Sequence, residues 1–301
     1  MLNEKQLEAV NTLNGQVLVI SCPGSGKTTV IVNRTKAIID SGVNAEKILV
    51  ITFTKEAATQ MQNRYEKLYG KTRVLFGTIH SVCFQVIKMA FGYEKNDILL
   101  ATEQWEFFGN FLKGKTDTDN LEEFCKKMMT AISSFKNSGK DLREFDPGEI
   151  EKTLFADALK AYEAYKKRLD KIDFDDMLLK CRDALTDPKM LEYWKNRFQY
   201  IMIDEFQDTN MIQAEIFYSL AGGNGNICVV GDDDQSIYRF RAADSSIMME
   251  FPKKYPNCKT IYMSTNYRSD REIIKRAGML ISHNQKRFKK EFLCNKEGTG
   301  S

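Results

Sequence analysis

The chain has 301 residues, 43% of them hydrophobic and 28% charged, and a formal net charge of only +3. That length allows a large core and two domains, and so small a charge means that any grip on a polyanion must be local. Seven single cysteines without a CxxC pair and only two histidines argue against a zinc or iron–sulfur site and for reduced thiols in a cytoplasmic protein; no apolar run reaches the length of a membrane span, and the N-terminus MLNEKQLEAV does not read as a signal peptide.

In chain order, GQVLVIS reads as a buried strand and residues 28–39 as a helix. KILVIT and RVLFGT are further strands, with the helix-forming segment KEAATQMQNRYEKL between them. Short apolar strands alternating with helices predict an α/β fold whose parallel sheet is covered on both faces. From about residue 91 β-branched runs almost vanish. Segments such as LEEFCKKMMTAISSFK and TLFADALKAYEAYKKRL predict a helical insertion over 91–190. Its many lysines (Lys126, Lys127, Lys136, Lys140, Lys166, Lys167) read as a solvated face. The α/β pattern returns with YIMIDE, NICVVGD and KTIYMS, after which Ser269 and Glu272 fit a capping box opening a helix. The expected organisation is a P-loop core of 1–90 and 191–256, the insertion, and at 257–301 the start of a second α/β domain.

The loop after the first strand carries the sharpest chemical signal. Ser21, Cys22, Pro23, Gly24, Ser25, Gly26, Lys27, Thr28 and Thr29 join a strand to a helix. Backbone N–H groups of such a turn and of the helix N-terminus face phosphate oxygens. Lys27 would reach the β- and γ-phosphates and the Thr28 hydroxyl would hold Mg²⁺, which makes ATP with Mg²⁺ the expected ligand. The strict pattern has glycine where this chain has Ser21, a small departure. In YIMIDEFQDTN, Asp204 and Glu205 follow an apolar strand, where ligands of parallel sheets bind. Asp204 is the candidate Mg²⁺ ligand. Glu205 is the candidate general base, or at least the group that positions the attacking water. In VVGDDDQSIYRFRAAD, the acids Asp232, Asp233 and Asp234 could form a second metal cluster. Alternatively they fix the loop while Gln235 reads the γ-phosphate, a task suited to an amide that both donates and accepts.

PGSGKTT, DEFQDTN, GDDDQSIYRFRAAD and NYRS, in this order, resemble the UvrD/Rep/PcrA family of superfamily 1 DNA helicases. LNEKQLEAV, ITFTKEAATQM, GTIHSVC and IDFDDML resemble further segments of that family, so the likeness runs from Leu2 to about His283. The resemblance implies a RecA-like motor core. It implies roles for Gln6 as reader of the adenine edge, Tyr267 as the ring stacked on adenine, and Arg268 as an arginine finger. Arg241 would link the nucleotide and DNA sites. Thr52, Phe53, Thr78, His80, Tyr238, Arg239 and Phe240 would contact single-stranded DNA. The family usually has tryptophan where this chain has Phe240. Lys286, Arg287, Phe288, Lys289 and Lys290 offer a further DNA-backbone contact.

The implied activity is ATP-dependent 3′→5′ translocation on single-stranded DNA and unwinding at ss/ds junctions, with repair or nuclease proteins as partners. Motifs of the family's second motor domain beyond NYRS are absent, so the chain looks like the N-terminal part of a longer helicase or a short relative. The competing readings are an ATPase or switch module of a helicase–nuclease or defence complex, and a DNA- or nucleotide-binding fragment without motor activity.

Overall fold

The central strands of this chain are apolar on both faces, and both faces find helices to bury them. The computed structural model describes residues 1–116, 120–223, 225–237 and 243–295. The chain runs α1 (Glu4–Asn11), β1 (Gln16–Ser21), α2 (Lys27–Asp40), β2 (Ile48–Ile51), α3 (Lys55–Tyr69), β3 (Leu75–Gly77) and α4 (Ile79–Phe91). Helices α5 (Ala101–Leu112), α6 (Leu121–Ser138), α7 (Lys152–Leu169), α8 (Phe174–Ala184) and α9 (Pro188–Arg197) follow. Then come β4 (Tyr200–Ile203), α10 (Met211–Ala221), β5 (Asn226–Gly231), α11 (Ser246–Lys254), β6 (Lys259–Met263), β7 (Thr265–Asn266), α12 (Arg271–Ile281) and β8 (Leu293–Cys294).

The main sheet is parallel, in the order β3-β2-β4-β5-β1-β6. Period-2 alternation sorts its side chains. Val17, Val19, Ile48, Val50, Met202, Cys228 and Val230 face the cluster that packs on α1, α2 and α3. Leu18, Ile20, Leu49, Ile51, Ile201, Ile203, Ile227 and Val229 face the cluster built with α4, α8, α9, α10 and α11. All carboxyl ends therefore lie on one edge, where the loops after β1, β4 and β5 meet. The α/β class and the mainly parallel sheet agree with the sequence reading.

The helical middle is not uniform. Phe108, Met128, Phe155 and Tyr162, from α5, α6 and α7, form an apolar cluster of their own. Leu178, Cys181 and Trp194, from α8 and α9, belong to the sheet-face cluster instead. Two of the lysines read as a solvated face are inside. Lys166 Nζ lies 3.0 Å from Asp173 and also pairs with Asp176, and Lys136 Nζ lies 3.0 Å from Asp173 and likewise pairs with Asp176. Burial alone would push the Lys136 ammonium down, but the facing Asp173, Asp176 and Glu163 hold it above its ordinary value. Lysine pattern alone could not reveal this, because the acids lie across a turn and on the next helix.

Segment 257–301 also departs from expectation. β6 does not open a second sheet. It pairs in parallel with β1 from Val17↔Lys259 to Ser21↔Met263, covering an edge that the loop-bearing strand would otherwise expose. β7 and β8 form a separate two-stranded ribbon. The helix between these two strands, α12, starts at Arg271 with Asp270 as its N-cap, one residue later than the Ser269 capping box would place it, and Asp270 makes no side-chain cap bond. The reason is local: the preceding turn is held by Asn266 (below) rather than by Ser269. Among the described residues, no helix is long and apolar enough to cross a membrane.

Candidate nucleotide site and adjoining cavity

The loop leaving β1 closes with Gly24 at φ +69° and Gly26 at φ +86°, left-handed values that favour glycine. Contact also demands glycine. A Cβ at residue 24 would lie 2.7 Å from Arg268 Cβ, and one at residue 26 would lie 2.9 Å from Gln6 Nε2. Ser21, the departure from the strict pattern, is the last residue of β1. Its hydroxyl donates to the Gly231 carbonyl (2.8 Å), tying the ends of β1 and β5. Cys22 is buried. Burial, then the charge of Asp232, push its thiol up to about 11, so it stays neutral. Pro23 is exposed. Ser25 Oγ is buried without a hydrogen-bond partner among the described residues, an orphan donor inside a phosphate-type cradle. Lys27 opens α2, and its Nζ lies 2.9 Å from Glu205 Oε2.

Glu205 follows β4 in a left-handed conformation (φ 52°, ψ 44°) rare for a residue with a side chain. Such strain costs on the order of 1 kcal/mol and clusters at functional sites. Burial, then the charge of Glu205, push the Asp204 carboxyl up to about 7, with Lys27 opposing. Asp208 is pushed to about 6 by burial first and Glu205 second, and its Oδ1 is buried without a partner among the described residues. Such carboxylates, short of cations, fit a divalent ion beside Thr28. Thr28, Asp204, Glu205, Asp208 and Gln235 line one cavity of about 520 Å³ together with Arg64 of α3.

Two residues missed in the sequence hold this arrangement together. Gln207 is buried. Its Nε2 donates to Glu205 Oε2 (2.9 Å), and its Oε1 accepts from the Asp232 N–H (3.0 Å). Asp232 Oδ2 in turn accepts from Gln235 Nε2 (2.5 Å). One buried amide thus joins the loops after β4 and β5. Arg64 donates to Thr29 Oγ1 (2.7 Å), bringing a guanidinium to the phosphate loop from a helix that the motif reading left without a nucleotide role.

On the outer side of the loop, α1 and the NYRS turn converge. Asn266 is buried, and its Oδ1 accepts from the N–H groups of Arg268 (2.7 Å) and Ser269 (2.9 Å), fixing the turn. Tyr267 N–H donates to the Gly24 carbonyl (3.0 Å). The Tyr267 hydroxyl accepts from Asn3 Nδ2 (2.6 Å). Gln6 is buried beside it, donating to the Ser25 carbonyl (2.8 Å) and accepting from Asn3 N–H (2.9 Å). Gln6, Tyr267 and Arg268 are therefore brought to the loop, with Gln6 anchored on the loop backbone. Arg34 of α2, buried and donating to the Ala9 (2.7 Å) and Leu13 (3.1 Å) carbonyls, ties α1 to the helix that Lys27 begins.

The candidate DNA residues divide. Thr52, Phe53 and His80 line a second cavity of about 640 Å³, whose far wall comes from α6, α7 and α8. Phe53 also borders the nucleotide-side cavity. His80 packs edge-on against Phe174 (ring centroids 5.5 Å apart), and burial pushes its imidazole down to about 4. Thr52 is buried, its hydroxyl donating to the Thr54 carbonyl (2.8 Å). Thr78 is the N-cap of α4, its Oγ1 accepting from Ser81 N–H, and does not line that cavity. Tyr238, Arg239, Phe240 and Arg241 lie outside the described residues. Lys290 and Arg287 of the basic segment bind acids of the chain instead of facing outward (below).

A family model described as the UvrD/REP helicase N-terminal domain matches residues 2–256. The ATP-dependent DNA helicase PcrA of Staphylococcus epidermidis is 36% identical over 297 residues, 95% of this chain and 40% of that protein. PcrA of Staphylococcus aureus is 35% identical over 296 residues, again 95% of this chain and 40% of the relative. The chain thus spans about 40% of the length of these curated relatives.

Proposed function

The chain belongs to the UvrD/REP helicase N-terminal domain family, and we propose that it is the ATP-binding part of an ATP-dependent 3′→5′ DNA helicase. The observation that carries the reading is the meeting of three strand ends: Lys27 after β1 and Glu205 after β4, 2.9 Å apart, with Gln207 bridging Glu205 to the loop of Gln235 after β5. A nucleotide would lie with its phosphates on the loop from Ser21 to Thr29 and its base between Gln6 and Tyr267. Thr28 and Asp204 would hold Mg²⁺, which neutralises charge on the β- and γ-phosphate oxygens. On binding, Lys27 leaves Glu205 for the phosphates. Glu205, still oriented by Gln207, takes a proton from water as its oxygen attacks the γ-phosphorus and the bond to the bridging oxygen breaks. Gln235 and Arg268 contact the γ-phosphoryl oxygens, where charge is concentrated.

Single-stranded DNA would engage the 640 Å³ cavity through its bases, because aromatic stacking at Phe53 is tolerant of sequence. Among the described residues that cavity is lined by Asp173, Asp175, Asp204 and Glu205 and by no Lys or Arg, so the DNA backbone would follow the rim. The proposed substrates are single strands and ss/ds junctions, with repair or nuclease proteins as partners in the cytoplasm. The test is ATP hydrolysis by the purified chain with and without a single-stranded oligonucleotide, with Glu205→Gln as the blank. Stimulation by DNA supports the reading. Nucleotide turnover indifferent to DNA supports an ATPase or switch module instead.

A further inference from the structure

The three acids after β5 are not waiting for a metal. Their carboxylate oxygens lie within 4.8 Å of one another, and they surround the ammonium of Lys290. Its Nζ is 2.5 Å from Asp232 Oδ1, 2.6 Å from Asp233 Oδ1 and 2.8 Å from Asp234 Oδ2. The Lys290 and Asp232 side chains are 2% and 0% exposed. Arg287 grips Asp234 with two prongs, Nε at 2.7 Å and Nη2 at 2.6 Å, and Phe288 N–H donates to Asp233 Oδ2 (2.8 Å). Burial alone would push the Lys290 ammonium down, but the carboxylates hold it above its ordinary value. Three carboxylates this close repel one another unless cations stand between them, so the loop takes this shape only with the basic segment in place.

Asp232 stands at the centre of two linked contacts. One oxygen accepts from Lys290, and the other accepts from Gln235 Nε2. Its N–H is held by Gln207. The basic segment also leads into β8, which pairs with β7 at Thr265 and Asn266 just before the Tyr267–Arg268 turn. A single stretch of chain therefore braces two of the groups assigned to the γ-phosphate, Gln235 and Arg268.

We propose that Lys290, assisted by Arg287, is a positioning residue for the γ-phosphate-reading amide of Gln235, acting through Asp232. This rests on the nucleotide reading above and assigns to these residues a task different from DNA contact. The ammonium pins Asp232, Asp232 fixes the rotation of the Gln235 amide, and the fixed amide distinguishes a nucleoside triphosphate from a diphosphate.

The experiment is calorimetric titration of the purified chain with Mg²⁺ and either a non-hydrolysable ATP analogue or ADP, read as the ratio of the two dissociation constants. Gln235→Ala sets the size of the sensor's contribution. Lys290→Met is expected to lower the ratio about fivefold or more, toward the Gln235→Ala value. Lys290→Arg should restore most of it, and Gln235→Ala/Lys290→Met should fall no lower than Gln235→Ala. Equal weakening of both nucleotides by Lys290→Met, no weakening of either, or additive losses in the double variant would overturn the proposal. If Gln235→Ala itself leaves the ratio unchanged, the sensor reading fails first, and the two failures are told apart. Should Lys290→Met not fold, Arg287→Gln, at a less buried contact, carries the same expectation and the same refutation.

Discussion

Replacing Glu205 by glutamine separates binding from chemistry. Lys27 Nζ lies 2.9 Å from Glu205 Oε2, with the two side chains 14% and 36% exposed. A nucleotide that takes Lys27 must break this pair. An ion pair that is half in water is worth about 1 kcal/mol or less, so its removal makes Lys27 available at a saving of at most that amount. The Gln207 Nε2–Glu205 contact at 2.9 Å can be kept by the amide oxygen of glutamine, so the loop geometry survives. Mg²⁺–nucleotide affinity of Glu205→Gln should therefore equal that of the wild type or be up to about fivefold tighter. Turnover should fall by roughly 100-fold or more, the usual contribution of a positioned general base. Titration calorimetry with a non-hydrolysable ATP analogue measures the first quantity, and phosphate release under saturating ATP the second. Binding weakened more than fivefold, or turnover within threefold of wild type, would refute the assignment of Lys27 and Glu205 as a competing pair.

Gln207→Leu should keep nucleotide binding and reduce turnover about tenfold, because it leaves Glu205 and the Asp232 N–H without their shared partner; unchanged phosphate release would remove Gln207 from the machinery. His80 titrates from about 6.5 in the unfolded chain to about 4 in the fold, so the unfolded state binds the extra proton between those values and stability falls as pH drops through that window. Between pH 7.5 and 5 this group alone should cost about 2 kcal/mol, so the fall in unfolding free energy between the two pH values, read from urea titrations, should be larger in wild type than in His80→Gln by that amount. Lys166→Met should destabilise the chain by ~3 kcal/mol or more, because it strips one of two cations from the buried Asp173 and the half-buried Asp176; a loss under 1 kcal/mol in urea denaturation would mean that Lys136 alone suffices.

The phosphate loop and the acidic strand ends were legible because their chemistry is local. A glycine turn between strand and helix, or a carboxylate at a strand end, is written in consecutive residues. Lys27, Asp204 and Glu205 could be named from short segments, and the unbroken apolar run of Val17, Leu18, Val19 and Ile20 announced a buried strand. What was illegible is pairing across the chain. KTIYMS reads as the opening strand of a second domain, whereas the open edge of β1 takes it into the first sheet. Lys166 and Lys290 look like any surface lysine until Asp173 or Asp232 is brought against them. Gln207 and Asn266 stood inside quoted motifs without a role, since nothing in sequence spacing says which backbone N–H an amide will meet.

A hydrogen-bonded route ties the helices walling the larger cavity to the loop of Glu205, and it can be cut. Asp175 on α8 is half-buried, and desolvation followed by the charge of Asp173 pushes its carboxyl up. It accepts from Ser133 Oγ (3.0 Å) and Asn137 Nδ2 (2.6 Å) of α6. Asn137 Oδ1 accepts from Asn210 Nδ2 (3.2 Å), and Asn210 caps α10 directly after the loop of Glu205, Gln207 and Asp208. Helices that wall the larger cavity are thus fastened to the loop that orients the candidate base. Asn137→Leu removes the link while leaving both cavities' other linings in place, and Asn210→Ser keeps the helix cap while withdrawing the amide donor. If this route carries coupling, either variant should reduce stimulation of ATP turnover by single-stranded oligonucleotide several-fold at unchanged basal rate, and the double variant should add nothing. Additive losses, or stimulation equal to wild type, would show that contacts at the cavity reach Glu205 by another path.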